Sequence, residues 1–570
     1  MAETIVETKA CKHCWASFAI IDKDLEFYDK VSPIFNEKKY TIPSPVFCPN
    51  CRQQRRLAFR NERKLYRRKC DASGKDIISL YSPDKLYKVY DQKIWSSDQW
   101  NPMDYGKDFD FSKSFSQQFE ELFHEVPRMA LYNYANENSD YNNYTDHCKN
   151  TYVCFFSNTI EDSYYINGSY KVVRSMDIWW SEQLENCYEC FNSSELHTCF
   201  YCNGCNNSSD LFQCNDCTWC TSCLGCVGLR NKEYYIFNKQ YTKEEYTVEA
   251  EKIHRTMSHQ EIHHKVNDIQ LTVPVLAVNT KNTDNCRWDF IYDSKNCLSC
   301  YECEEMNDCS YACQCARANN LHDADNVWSW EWRVLESIWL ERSFAIIFSS
   351  AITSSDTIYY SDSLFTCKHC FWCIGLRDKQ YCIFNKQYTK EEYETLVPKI
   401  IENMQKTPAK DGAGCERWSF FAPSLSPFGY NETIAQEYYP LSKEEAGKQW
   451  YQWSDFEALF PKAEKILKAD QLPNISLVND DILTRAIECE VTWKPFRIIK
   501  PELEFYRKNN LPLPTKHPDQ RHFERMAMRN PRKLRDRKCA KCWADIKTTY
   551  APERPEIVYC ESCYAKEIYW

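Results

Sequence analysis

Eight cysteines stand where their spacing suggests chemistry. Cys11 and Cys14 form one Cys-x2-Cys knuckle and Cys48 and Cys51 another, with 33 residues between the pairs. Near the other end, Cys539 and Cys542 are followed after 17 residues by Cys560 and Cys563. Four thiolates from two knuckles suit tetrahedral zinc, and a site closed by four protein ligands leaves no position for substrate. Two structural Zn2+ sites per chain are therefore expected. A denser thiol run follows another rule. Cys214, Cys217, Cys220, Cys223 and Cys226 recur every third residue, and Cys367, Cys370 and Cys373 repeat three of them 147 residues later. Period three on one face describes either a thiolate cluster or a stacked core ladder. Buried thiols commonly pack as small, inert apolar groups, so the ladder is preferred and metal binding is the second use.

The remaining candidates are basic. Residues Arg52 to Lys69 hold nine Lys/Arg against one acid, and Arg521 to Lys541 nine against two. These runs are +8 and +7, which leaves −25 for the rest of a chain of net charge −10. Arg52, Arg55, Arg56, Arg60, Arg63, Arg67 and Arg68, with Arg521, Arg525, Arg529, Arg532, Lys533 and Arg537, are the candidate phosphate contacts. Phe59, Tyr66 and Phe523 lie among them and offer base stacking, although core packing is the commoner use of each. The competing reading is that the arginines line a solvated helix face or pair with the acidic middle. His254, His259, His263 and His264 sit together, and His259-Gln-Glu-Ile-His263 approaches a zincin motif with its glutamate one position late; a solvated helix face is the reading preferred. No nucleophile–base pair, phosphate loop or paired-carboxylate motif stands out, and 11 glycines make nucleotide cradles unfavourable. The chain is not expected to be an enzyme.

The elements that carry these residues are duplicated. A shift of 469 places Arg56, Arg60, Asn61 and Cys70 on Arg525, Arg529, Asn530 and Cys539, and upstream a shift of 478 places Cys11, Trp15, Phe27 and Tyr28 on Cys489, Trp493, Phe505 and Tyr506. The same tandem-finger module therefore opens and closes the chain. Its two copies keep different fingers: Cys70, Ser73, Asp91 and Ile94 replace one ligand set, and Cys489, Thr492, His517 and Gln520 the other, so neither degenerate finger is expected to bind zinc. Alternating loss argues for a folding role of the metal. Residues 8–60, with their Cys-x2-Cys, the Glu26-Phe27-Tyr28 segment and the closing Pro45-x-x-Cys48-Pro-x-Cys51-Arg52, resemble the small bacterial probable zinc-ribbon domain. That resemblance implies a treble-clef-like fold in which the second knuckle opens a helix, so that the arginines after Cys51 would be displayed on a zinc-pinned element. The whole chain resembles a family of bacterial cysteine-rich proteins through its CPNCR, GLRNKEYYIFNKQY and HPDQRH–RMA–RNPRKL blocks, a resemblance that implies architecture and no activity.

Between the modules, Cys187, Cys190, Asn192, Ser193, Ser194, Leu196 and Cys199 return 15 residues later as Cys202, Cys205, Asn207, Ser208, Ser209, Leu211 and Cys214. A short fixed period implies a solenoid, and the β-branched and aromatic content suggests short parallel strands with Asn/Ser corners. Helices are expected to leave it at Thr242 and Thr389, each with glutamate three residues on. The aromatic run from Trp328 to Phe348 reads as an inward solenoid wall. The fold class is thus mainly β with some α: duplicated terminal zinc-ribbon/treble-clef modules flanking a cysteine-rich β-solenoid-like region. The segments are 1–95 (first finger module), 96–130 (linker and helix), 131–265 and 266–415 (two solenoid arrays, each with a helix), 416–488 (linking α/loop domain, helical from Ser442) and 489–570 (second module). No apolar run spans a bilayer and no secretory segment opens the chain, so a cytoplasmic protein without membrane contact is expected. The leading functional expectation is a zinc-binding scaffold that contacts nucleic acid, RNA or a ribonucleoprotein such as the ribosome before DNA. The alternatives are a protein-interaction scaffold whose modules only cap the solenoid, and a thiol or metal store.

Overall fold

The computed structural model describes residues 4–286, 288–328, 331–409, 411, 414–457 and 463–568. Its contacts gather the chain into two compact units, each made of two separated stretches. Unit 1 joins Met1–Leu131 to Val278–Phe456, and unit 2 joins Tyr132–Ala277 to Glu457–Trp570. Each terminal module thus shares a unit with the cysteine-rich array farther from it in sequence. Strand exceeds helix, 32% against 25%, so the fold is mixed.

In unit 2 the array pairs its strands in parallel at a constant offset of twelve: Asn143 faces Phe155, Glu182 faces Ser194 and Thr221 faces Glu233. Unit 1 repeats this with Tyr301 opposite Cys313 and Asp356 opposite Lys368. Twelve residues divide into four triplets. Every third residue from Ala135 to Phe237 has a positive φ, each making a corner. The residue after each corner points inward, which is why Ile160, Ile166, Val172, Ile178, Leu184 and the cysteines up to Cys226 stack in one core. Left-handed φ costs a non-glycine residue about 1–2 kcal/mol, less for Asn and Asp, and Asn150, Asp162, Asn192 and Asp216 are among the corners.

The expected Asn corners are present, and serine, found at corners such as Ser222, Ser299, Ser354 and Ser363, also occupies the interior. Ser157 Oγ donates to Phe155 O at 2.8 Å and accepts from Ser169 N–H at 3.2 Å, and Ser175 accepts from Cys187 N–H at 2.9 Å. The cysteines take the same place: Cys190 Sγ donates toward the carbonyls of Tyr188 and Cys199, at 3.5 and 3.3 Å. The expected 15-residue rung is corrected to twelve. Fifteen keeps the triplet phase, so inward residues stay inward, but each copy of the motif moves on by one triplet relative to the strand pairing. One rung in unit 1 is longer: Asn319 faces Trp332, thirteen residues on, and the corner phase slips by one. Within the aromatic run, Val334, Leu340 and Ile346 form the inner wall, while Trp332 stays exposed.

Both arrays end in a hairpin followed by a capped helix. Thr242 and Glu245 form a capping box at Lys243–Thr256, and Thr389 and Glu392 another at Lys390–Lys406. The helix expected from Ser442 runs only over Lys443–Lys448; its expected continuation reaches residues 458–460, which lie outside the described residues. In the modules, the first knuckle position of each finger is the turn of an antiparallel hairpin. Four such turns share one backbone form: the N–H of Trp15, Gly74, Trp493 and Trp543 donates to the carbonyl four residues back, at 2.8–3.0 Å, with φ between 61° and 71°.

Candidate metal centres and the arginine clamp

Hairpin and helix together assemble each thiol set. Cys11 follows the strand Ile5–Ala10, and Cys48 caps the helix Pro49–Leu57, which carries Cys51. Cys539 follows Arg535–Lys538, and Cys560 precedes Glu561–Ile568, which carries Cys563. In each set the four sulfurs lie within 4.8 Å of one another. Tetrahedral zinc at about 2.3 Å requires sulfurs about 3.8 Å apart. Cys14 and Cys48 are 3.6 Å apart, and Cys542 and Cys560 3.7 Å. Backbone N–H groups already face the sulfurs, from Cys48 to Cys11 at 3.2 Å and from Cys560 to Cys539 at 3.3 Å, as ligands that must carry negative charge require. A thiol hydrogen bond from Cys51 pulls Cys48 down to about 5. Burial raises Cys539, but backbone N–H groups outweigh it and bring the thiol to about 6. Both sets can hold a metal ion.

The degenerate fingers keep their fold by other means. Asp91, in place of a ligand, caps Gln92–Trp95 by accepting from Lys93 N–H at 3.0 Å, while its own N–H donates to Cys70 Sγ at 3.3 Å. His517 does the same through Nδ1, which accepts from Asp519 N–H at 3.1 Å. An N-cap has replaced a metal ligand at the same chain position.

The helix after the second knuckle does not display its arginines. Arg52 and Arg56 are 2% and 0% exposed, and in unit 1 they meet the acidic corner of the array. Arg52 Nε and Nη2 lie 2.9 Å from the two oxygens of Asp323, while Arg56 Nε lies 2.8 Å from Asp325 and its Nη1 3.4 Å from Asp323. Arg55 donates to the carbonyls of Phe420 and Phe421 and pairs with Asp411 at 2.5 Å. Unit 2 repeats the arrangement. Arg521 pairs with Asp177, Arg525 Nη2 lies 3.0 Å from the same carboxylate, and Tyr165 donates to Glu502 at 2.8 Å. Tyr311 and Asp24 are the unit 1 counterparts of that last pair, at 3.3 Å. Asp323 and Tyr311 each lie 146 residues after Asp177 and Tyr165. This is one residue fewer than the 147 separating the later blocks, and the thirteen-residue rung supplies the difference. Burial pushes Asp24 up to about 6 against the pull of Ile21 N–H and Arg52.

The phosphate-contact expectation is corrected accordingly. Arg52, Arg55, Arg56, Arg60, Arg521 and Arg525 are buried, and Arg63, Arg68, Arg529, Arg532 and Arg537 half-buried. Arg68 binds Asp71, Arg529 lies over Trp179, and Arg537 donates to Glu556 O; only Arg67 and Lys533 of the thirteen are exposed. Phe59 packs on Phe420, and Tyr66 bonds Glu432. Of the four histidines, His254, His263 and His264 are exposed and His259 is half-buried, as expected of a solvated helix face, while His254 and His259 also pack edge-on against Phe212. The acids of the clamp escaped sequence reading; the signal was an aspartate at equivalent corners of both arrays. Among the described residues, the ladder cysteines form no group of three close enough to share an ion, and no helix is long and apolar enough to cross a membrane. No protein-family model and no curated protein matches this chain.

Proposed function

We propose that the protein is a zinc-stabilised binding scaffold in which two β-solenoids are each locked to a zinc-ribbon module. The observation that carries this reading is the clamp. Two arginines one helical turn apart close on one corner aspartate, and this arrangement recurs in both units. Duplicated residues kept for docking mark rigid assembly as the property maintained. Closed four-thiolate sets on structural knuckles favour zinc, with iron the other metal that such sulfur geometry accepts. Nucleic-acid contact through Arg52, Arg56, Arg521 and Arg525 has no support, because the clamp holds their guanidinium groups. Elemental analysis of the purified chain tests the proposal. Two zinc ions per chain, falling to one with Cys14→Ser and to none when Cys542→Ser is added, is the expected result. Iron, no metal, or five or more ions per chain would overturn it, the last in favour of metal storage by the ladder.

A further inference from the structure

Three of the four knuckle turns carry a tryptophan that neither the fold nor the metal explains. Trp15, Trp493 and Trp543 are 77%, 69% and 74% exposed. Each occupies the left-handed position that the fourth turn fills with Gly74, and glycine makes the same hydrogen bonds there without strain. The ring is not tied to the ion either, since Trp493 persists in the finger whose other ligand positions are Thr492, His517 and Gln520. Each ring has an exposed lysine within three residues: Lys12, Lys494 or Lys541. The remaining tip residues are small or polar apart from Val491, so each ring stands as an isolated aromatic beside a cation and no wider apolar patch surrounds it.

We propose that each of these knuckle tips is a binding site for single-stranded nucleic acid, its indole ring stacking on an unpaired base while the neighbouring ammonium group meets a phosphate. An exposed ring beside a flexible cation is the combination that recognises a single strand without reading its sequence, whereas a duplex hides its base faces. The site is separate from the buried arginines and does not depend on the solenoid reading.

The test uses the full-length, metal-loaded chain and fluorescently labelled 20-mers of oligo(U) and oligo(dT), read by anisotropy at low salt. Binding that weakens as salt rises is expected, with Trp15→Gly, Trp493→Gly and Trp543→Gly combined weakening it roughly 5- to 150-fold. Glycine should preserve the turn, as Gly74 does, so metal content and circular dichroism should be unchanged; Trp→Phe at the same positions should retain most of the affinity. The proposal is overturned if neither strand binds the wild-type chain, if the triple glycine variant binds as tightly as wild type, or if the rings prove necessary for a protein partner and not for either strand. Because metal content is measured alongside, a failure here is distinguishable from a failure of the zinc scaffold.

Discussion

Asp323→Ala is the sharpest perturbation of the clamp. The carboxylate sits 0% exposed at a corner of the array and meets Arg52 through both oxygens and Arg56 through one. Removing it leaves Arg52 with only the Phe47 carbonyl, at 2.8 Å, among its close oxygen partners, and leaves Arg56 with Asp325 alone. Breaking a buried ion pair from one side costs about 3–5 kcal/mol, because the remaining charge stays out of water. That is two to nearly four powers of ten in the opening equilibrium of unit 1, a large share of a total domain stability of about 5–15 kcal/mol. Hydrogen exchange of the amides in Pro49–Leu57 reads the loss directly, and the same experiment on Asp177→Ala should move Pro518–Ala527 instead. Adding Arg52→Met, Arg56→Met and Asp325→Asn to Asp323→Leu should recover most of the stability, since apolar or neutral replacement of a whole buried ion cluster is often near neutral. A loss below about 1 kcal/mol for Asp323→Ala would show that the guanidinium groups are solvated, and would return the arginines to the pool of available phosphate ligands.

Three further outcomes follow from the structure. Chelation should destabilise the fingers holding Cys11 and Cys560 and leave the helices capped by Asp91 and His517 unaffected, as proteolytic mapping would report; equal loosening of all four fingers would contradict the capping assignment. Asp24 has a folded pKa of about 6 against 3.8 unperturbed, so it binds its proton more tightly in the fold. Its contribution is complete below pH 3.8 and disappears as pH rises through 6, about 3 kcal/mol in all, and Asp24→Asn should flatten that decline in urea-unfolding titrations. Cys220→Ser should keep the zinc content and lose only about 1 kcal/mol, because the serine can bond the Thr218 carbonyl as the thiol does; loss of metal would assign the ladder a ligand role.

The parts of this fold legible in the sequence are those written in local spacing. The knuckles, the helix that follows Cys48 and the boxes at Thr242 and Thr389 depend on residues a few positions apart, and all are present. The arginine runs misled because charge alone does not reveal burial: the carboxylate that meets Arg52 lies 271 positions away. The repeat length misled for a geometric reason. Sequence similarity between Cys187–Cys199 and Cys202–Cys214 records inward phase, which any multiple of three preserves, whereas backbone pairing records the twelve-residue offset between neighbouring strands. The serines were legible in part, since a residue common at turns also satisfies itself indoors by bonding the carbonyl two residues back.

The mismatch between a fifteen-residue motif and a twelve-residue pairing offset bears on a hazard common to stacked parallel strands. Columns of identical side chains, one above another, are the template on which cross-β fibres elongate. Here a duplicated motif moves on by three residues relative to the strand pairing each time, yet Ser157, Ser169, Ser181 and Ser193 still stack at the offset of twelve, so protection has to come from the ends. The final storey is roofed by a helix, with Ala250 and Ile253 over Leu224 and Ile236 in unit 2, and Tyr393 and Val397 with Ile383 and Phe384 in unit 1. A chain can therefore lengthen by copying its own text and still avoid becoming a seed.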